Sequence, residues 1–157
     1  MRIPALVTMV GALLVASCSR PADFDPEDPA IVAAIDSIVA QAMEGASNVD
    51  ADQVLAMAEG QGELTFITGD VMLNGLETIR ESFRDTYAGL EGQETTLLEK
   101  RVRVLSPDVA IVIAVAEGTY TDKAGWTSEP VGIGHTIVFV LEDGEWRARH
   151  AHQSIAY

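Results

Sequence analysis

Residues 131–155 read VGIGHTIVFVLEDGEWRARHAHQSI. Asp143-Gly144 lies between two alternating, apolar-rich runs, and that dipeptide is a strong signal for a two-residue hairpin turn. Such a turn pairs Glu142 with Glu145 and Leu141 with Trp146. Counting outward without interruption sets Ile137 opposite His150, His135 opposite His152 and Ile133 opposite Ser154. Strand side chains alternate between faces, so the chain's three histidines are expected on one face. Directly opposed Cβ atoms lie ~5 Å apart. Phe139, Leu141, Trp146 and Ala148 share that face nearer the turn and read as core. The expectation is an apolar wall that becomes polar away from the turn, as in a pocket lined by a sheet. A one-residue bulge would swing His152 away from His135.

Upstream, the pattern changes from strand to helix. Asp28-Pro29 opens a helix, the aspartate as cap and the proline in the first turn. Ile31, Ile35, Ile38, Val39 and Ala42 follow with helical spacing, and Gly45 is read as its end. A shorter helix carrying Val54, Leu55 and Ala58 begins after Asn48 or Asp50, and Gly60 and Gly62 close it. ELTFIT (63–68) reads as a strand and GDVMLNG (69–75) as a turn or short second strand. Leu76, Ile79, Phe83 and Tyr87 step by three and four, drawing the apolar stripe of a third helix.

Two long strands complete the pattern. Residues 94–105 alternate, with Leu98, Val102 and Val104 on the buried side and Glu99, Arg101 and Arg103 on the wet side. VAIVIAVAEGTYT (109–121) is apolar on both faces and reads as a central strand with two covers, one of them a candidate second subunit. Helices first and a meander of long antiparallel strands afterwards give an α+β class, with helices on one face of a curved sheet.

The front end is a separate matter. Arg2 precedes an apolar run from Ala5 to Ala16, too short for a spanning helix of ~20 residues. It reads as an export signal over 1–17. Val15-Ala16-Ser17-Cys18 resembles the bacterial lipobox, and Cys18 is the only cysteine of the chain. This implies cleavage before Cys18, lipidation of that residue, and a tether over 18–28 ahead of a domain at 29–157. The expected place is the cell envelope, anchored in the bilayer through Cys18. Ser19 in place of aspartate favours the periplasmic face of the outer membrane. With one cysteine, the exported domain folds without a disulfide. Ten Lys plus Arg against 24 Asp plus Glu give a net charge of −14, which repels phosphate backbones and argues against a nucleic-acid partner.

The element order, NGLETIRESF (74–83) and VFVLEDGEWRARHAHQS (138–154) together resemble the nuclear transport factor 2-like superfamily, its SnoaL-like and ketosteroid-isomerase-like members in particular. Trp146, His152 and Ser154 fit the tryptophan, histidine and serine of the SnoaL-like closing hairpin. The resemblance implies a cone-shaped, curved antiparallel sheet with helices packed on its concave face, a cavity for a small apolar molecule between them, and a homodimer. Cyclases of the group carry an aspartate on the last strand, and this chain has none there.

Four readings of the site stay open. In the first, a small apolar ligand sits in a pocket lined by His135, His150, His152, Ser154, Glu117, Tyr120, Phe83, Tyr87 and Trp126. In the second, an isomerase, cyclase or hydratase uses His152 or His150 as general base, since imidazole titrates near pH ~6.5. In the third, the domain is a non-catalytic dimeric assembly module. In the fourth, His-x-His plus His135 forms a zinc-like triad with Glu117 as a further ligand. With three histidines and one cysteine in the chain, neither metal nor cofactor is expected.

Overall fold

The structure, a computed structural model, describes residues 25–156. The lipobox, the signal run and most of the tether lie outside them. Helix α1 spans Pro29–Ser47, α2 Ala51–Leu55 with a 3-10 turn at Ala56–Ala58, and α3 Leu76–Tyr87. The strands are β1 (Thr65–Thr68), β2 (Val71–Asn74), β3 (Leu90–Ser106), β4 (Val109–Asp122), β5 (Val131–Glu142) and β6 (Glu145–Ala156). They form one sheet in the order β2-β1-β6-β5-β4-β3. The α+β order of the sequence is therefore the order of the fold. The sheet is mixed rather than antiparallel throughout, because β1 pairs with β6 in parallel.

Asp28 caps α1: its Oδ1 accepts from the amides of Ala30 and Ile31 at 2.9 and 3.2 Å. Asp50 does the same for α2, accepting from Asp52 and Gln53 at 3.0 Å each. Each bond satisfies an amide that has no partner inside its own helix. Gly45 does not end α1, which runs two residues further. A Cβ at this glycine would stand 2.7 Å from the Val54 amide nitrogen, so its role is to let α1 and α2 touch. Arg80 of α3 pairs with Asp52 and Glu59 and pins α3 against the α2 segment.

The core lies between the helices and one face of the sheet. Ile35, Leu55, Leu64, Ile79, Val112 and Phe139 are the largest fully buried side chains. Among the described residues, all of the core falls within residues 31–151.

Bulges decide which side chains face this core. In β3 the register slips between Leu97 and Glu99. Leu98 therefore turns outward and is 62% exposed, against the buried position expected for it, while Leu97 packs on the core. In β6 the Asp143-Gly144 hairpin forms as expected, with Glu142 opposite Glu145 and Leu141 opposite Trp146. The pairing continues to Phe139 with Ala148, skips Arg149, and resumes at Val138 with His150.

Candidate functional site: a cavity between the helices and the sheet

The skipped residue is held by one partner seven residues away and another 91 residues away. The Arg149 Nε donates to Glu142 at 2.8 Å, and its Nη1 donates to the Ala58 carbonyl at 2.8 Å. This guanidinium also holds the Glu142 carboxyl below the ordinary carboxylate range. Glu145 is taken by Arg147, so the like-charged pair at the hairpin end is neutralised from both sides.

Past the bulge every side chain of β6 exchanges faces. Thr136 now opposes His152, Gly134 opposes Ser154, and His135 opposes Gln153. His135 and Gln153 line the cavity, whereas His150, His152 and Ser154 lie on the opposite face of the sheet. This corrects the single-face triad. Glu117 is exposed on β4 and is outside the lining as well. Trp126 is 56% exposed and does not line the cavity; it stands edge-on to Tyr120, with ring centroids 5.8 Å apart. Phe83, Tyr87, Tyr120 and His135 border the cavity. Among the described residues no group of three or more His, Cys, Asp or Glu side chains could hold a metal ion.

The cavity has a volume of about 510 Å³. Its helical walls are Val39, Ala42, Met43 and Ala46 of α1, Val54 and Leu55 of α2, and Ile79, Phe83 and Tyr87 of α3. Its floor comes from the inward row of β4: Val112, Ala114, Ala116 and Gly118. Small side chains at alternate positions on one face explain why space remains under the helices. The outward row of the same strand, Ile111, Ile113 and Val115, is bulky. That asymmetry was readable in VAIVIAVAEG (109–118) as a signal for a cavity floor. The open end lies toward Thr86, Leu90, Tyr120, Val131 and Ile155, where the lining residues are exposed or half-buried; the opposite end is closed by fully buried side chains.

Aromatic rings form a row along one side. Phe66 and Phe83 are 5.5 Å apart between centroids, and Phe83 and Tyr87 are 5.7 Å apart. Thr86, Thr95, Thr119 and Tyr120 add hydroxyls to the lining, and two hydrogen-bonded polar clusters interrupt the apolar surface. Gln93 Nε2 donates to the Ala46 carbonyl at 2.8 Å and lies 3.4 Å from the Tyr87 hydroxyl. Burial raises the Tyr87 phenol above its ordinary value, so it stays protonated. On the other side, Thr68 Oγ1 donates to Gln153 Oε1 at 3.2 Å, and Gln153 Nε2 lies 3.5 Å from His135 Nε2. The residue types Gln93, Gln153 and Thr68 carry no motif that marks them in the sequence. No Asp, Glu, Lys or Arg lines the cavity among the described residues.

His135 is held below its ordinary value near 6.5 by burial. Burial penalises the charged ring, so the folded state binds this proton less readily than the unfolded state. Stability from this group is complete above the unfolded value and falls as the pH drops through the window toward the depressed folded value. Urea midpoints measured across pH 5–7 are expected to decline toward acid, and His135→Gln to flatten that part of the profile. Identical slopes for parent and variant would remove this role from His135.

A curved sheet, three helices over one face and a closed-ended apolar cavity between them define the nuclear transport factor 2-like architecture. Residues 35–157 match the model of the SnoaL-like domain, and the chain belongs to that family. Solved structures share the fold. A ketosteroid isomerase-like protein from Erwinia carotovora atroseptica is 20% identical over 85% of this chain and 99% of its own, with a TM-score of 0.67. A nuclear transport factor 2-like superfamily protein from Salmonella enterica is 16% identical over 78% and 89%, with a TM-score of 0.69. An uncharacterised protein with a cystatin-like fold from Caulobacter vibrioides is 15% identical over 80% and 89%, with a TM-score of 0.67. At these identities the likeness concerns the fold alone. Among curated proteins, none matches the chain.

Proposed function

We propose that the domain binds a small apolar molecule in this cavity and is held at the bacterial envelope by a lipid on Cys18. The carrying observation is the cavity itself. About 510 Å³ of space is walled by aliphatic and aromatic side chains with few polar groups, the usual make-up of a small-molecule site. Native mass spectrometry of residues 25–157, purified without a metal-binding tag, tests the binding: a retained small-molecule mass, or saturable uptake of the neutral dye N-phenyl-1-naphthylamine, is expected. A chain that neither retains a mass nor takes up the dye would end this reading. The sequence at residues 1–18 supports the anchor. Palmitate labelling of the full chain in a bacterial host is expected to disappear in Cys18→Ser.

Catalysis by His150 or His152 loses its basis, since neither borders the cavity. An enzyme at this site has His135 as its one imidazole, without a carboxylate beside it. Isomerase-, cyclase- or hydratase-type chemistry would have to run on that residue.

We also propose that the outer sheet face receives a second copy of the chain. Ile113 and Val115 in the middle of β4 are 46% and 47% exposed, and Leu98 beside them 62%. An apolar stripe on a central strand is costly to leave in water at ~25 cal/mol per Å². Sedimentation is expected to give a dimer at micromolar concentration and a monomer for Ile113→Glu. A parent chain that sediments as a monomer would rule the dimer out.

A further inference from the structure

We infer that the ligand of this cavity is an uncharged molecule with a hydrogen-bonding oxygen, an alcohol, ketone or ester rather than an acid or an amine. This rests on the reading of the cavity as a ligand site. None of the described lining residues carries a formal charge at neutral pH, since His135 is the only basic side chain there and burial favours its neutral ring. A carboxylate or ammonium taken into such a space would lose its hydration with no opposite charge to replace it. That penalty stays large even after relaxation. An uncharged oxygen loses much less, and recovers it if one good partner is present.

The partner is the relay Thr68–Gln153–His135. With Thr68 donating to Gln153 Oε1, the amide NH₂ faces His135 Nε2, which then accepts and leaves the ring proton on Nδ1. In this arrangement one Gln153 N–H and the His135 Nδ1–H have no protein acceptor among the described residues. Two spare donors suit a carbonyl oxygen. Turning the amide over reverses every bond in the relay: His135 Nε2 donates to Oε1, and the NH₂ donates to Thr68. The ring's Nδ1 then becomes an acceptor, which suits a hydroxyl. The relay can thus meet either kind of oxygen without taking on charge. At 3.5 Å the contact between Gln153 and His135 is at the long limit for a hydrogen bond. A ligand oxygen would therefore compete against a weak internal bond.

The test is displacement of N-phenyl-1-naphthylamine from residues 25–157 at pH 7.5 by compounds matched in chain length. Decan-1-ol, decan-2-one and methyl decanoate are expected to displace the dye at concentrations about tenfold or more below those of decanoate and decylammonium. Decane, which lacks the oxygen, is expected to fall behind the ketone, and Gln153→Leu to erase that gap, each displacement being read against the dye affinity of the same variant. Decanoate or decylammonium binding as tightly as the ketone would overturn the inference and leave the ligand-site reading standing. An undiminished ketone preference in Gln153→Leu would also overturn it, by removing the relay. Failure of the dye itself to bind would instead defeat the ligand-site reading and the inference with it.

Discussion

Ala114→Phe is expected to reduce uptake of an apolar probe at least about tenfold while the domain stays folded. Ala114 is buried in the inward row of β4 and lies directly across from His135 in the β4–β5 pairing. Its methyl forms part of the cavity floor. A benzyl group there enters the open volume that a ligand would occupy. In a close-packed interior the added atoms would force neighbours off their rotamers at a cost of roughly 1–3 kcal/mol. Here the cavity absorbs them, so the melting temperature is expected to change little. Probe titration and a thermal melt on the same sample separate the two effects. Unchanged affinity in a folded variant would mean that the probe binds elsewhere.

Phe139→Ala is expected to have the opposite profile, a large loss of stability. Phe139 is fully buried and packs on β5 between Ala110 of β4 and Ala148 of β6, both fully buried too. Its ring occupies the width that two small neighbours leave, and those neighbours cannot close the gap. Truncating a buried phenylalanine costs about 3–5 kcal/mol, against a total of roughly 5–15 kcal/mol for a domain. Denaturant unfolding should show the loss directly. Leu98→Ala provides the contrast. The β3 bulge places Leu98 in solvent, so its truncation is expected to stay within about 0.5 kcal/mol. A large loss at Leu98 would mean that the β3 register is the one an uninterrupted alternation gives.

Much of the fold was legible because its signals are local. Asp28-Pro29 opens α1, and Leu76, Ile79, Phe83 and Tyr87 draw the stripe of α3. Asp143-Gly144 sets the first two pairs of the last hairpin. The parallel pairing of β1 with β6 was not legible, since it joins segments about eighty residues apart and no local pattern encodes it. The candidate site failed at one residue. Arg149 leaves the ladder because Glu142 and the Ala58 carbonyl hold its guanidinium, and the second of these is 91 residues away. A period-2 count cannot detect such a partner, and a slip of one exchanges every face beyond it. His135 stayed in the cavity because it precedes the slip on the other strand. His150 and His152 left it, and Gln153, which has no distinctive chemistry in sequence, took the place beside His135.

The cavity holds His135, and β6 turns His150 and His152 to the other face of the sheet. The most direct measurement is NMR of the three histidine rings, assigned by single substitutions, during titration with N-phenyl-1-naphthylamine. The aromatic dye is expected to shift the His135 ring signals and leave those of His150 and His152 in place. Shifts at His150 or His152 with His135 unmoved would contradict the β6 bulge, and with it the cavity as described.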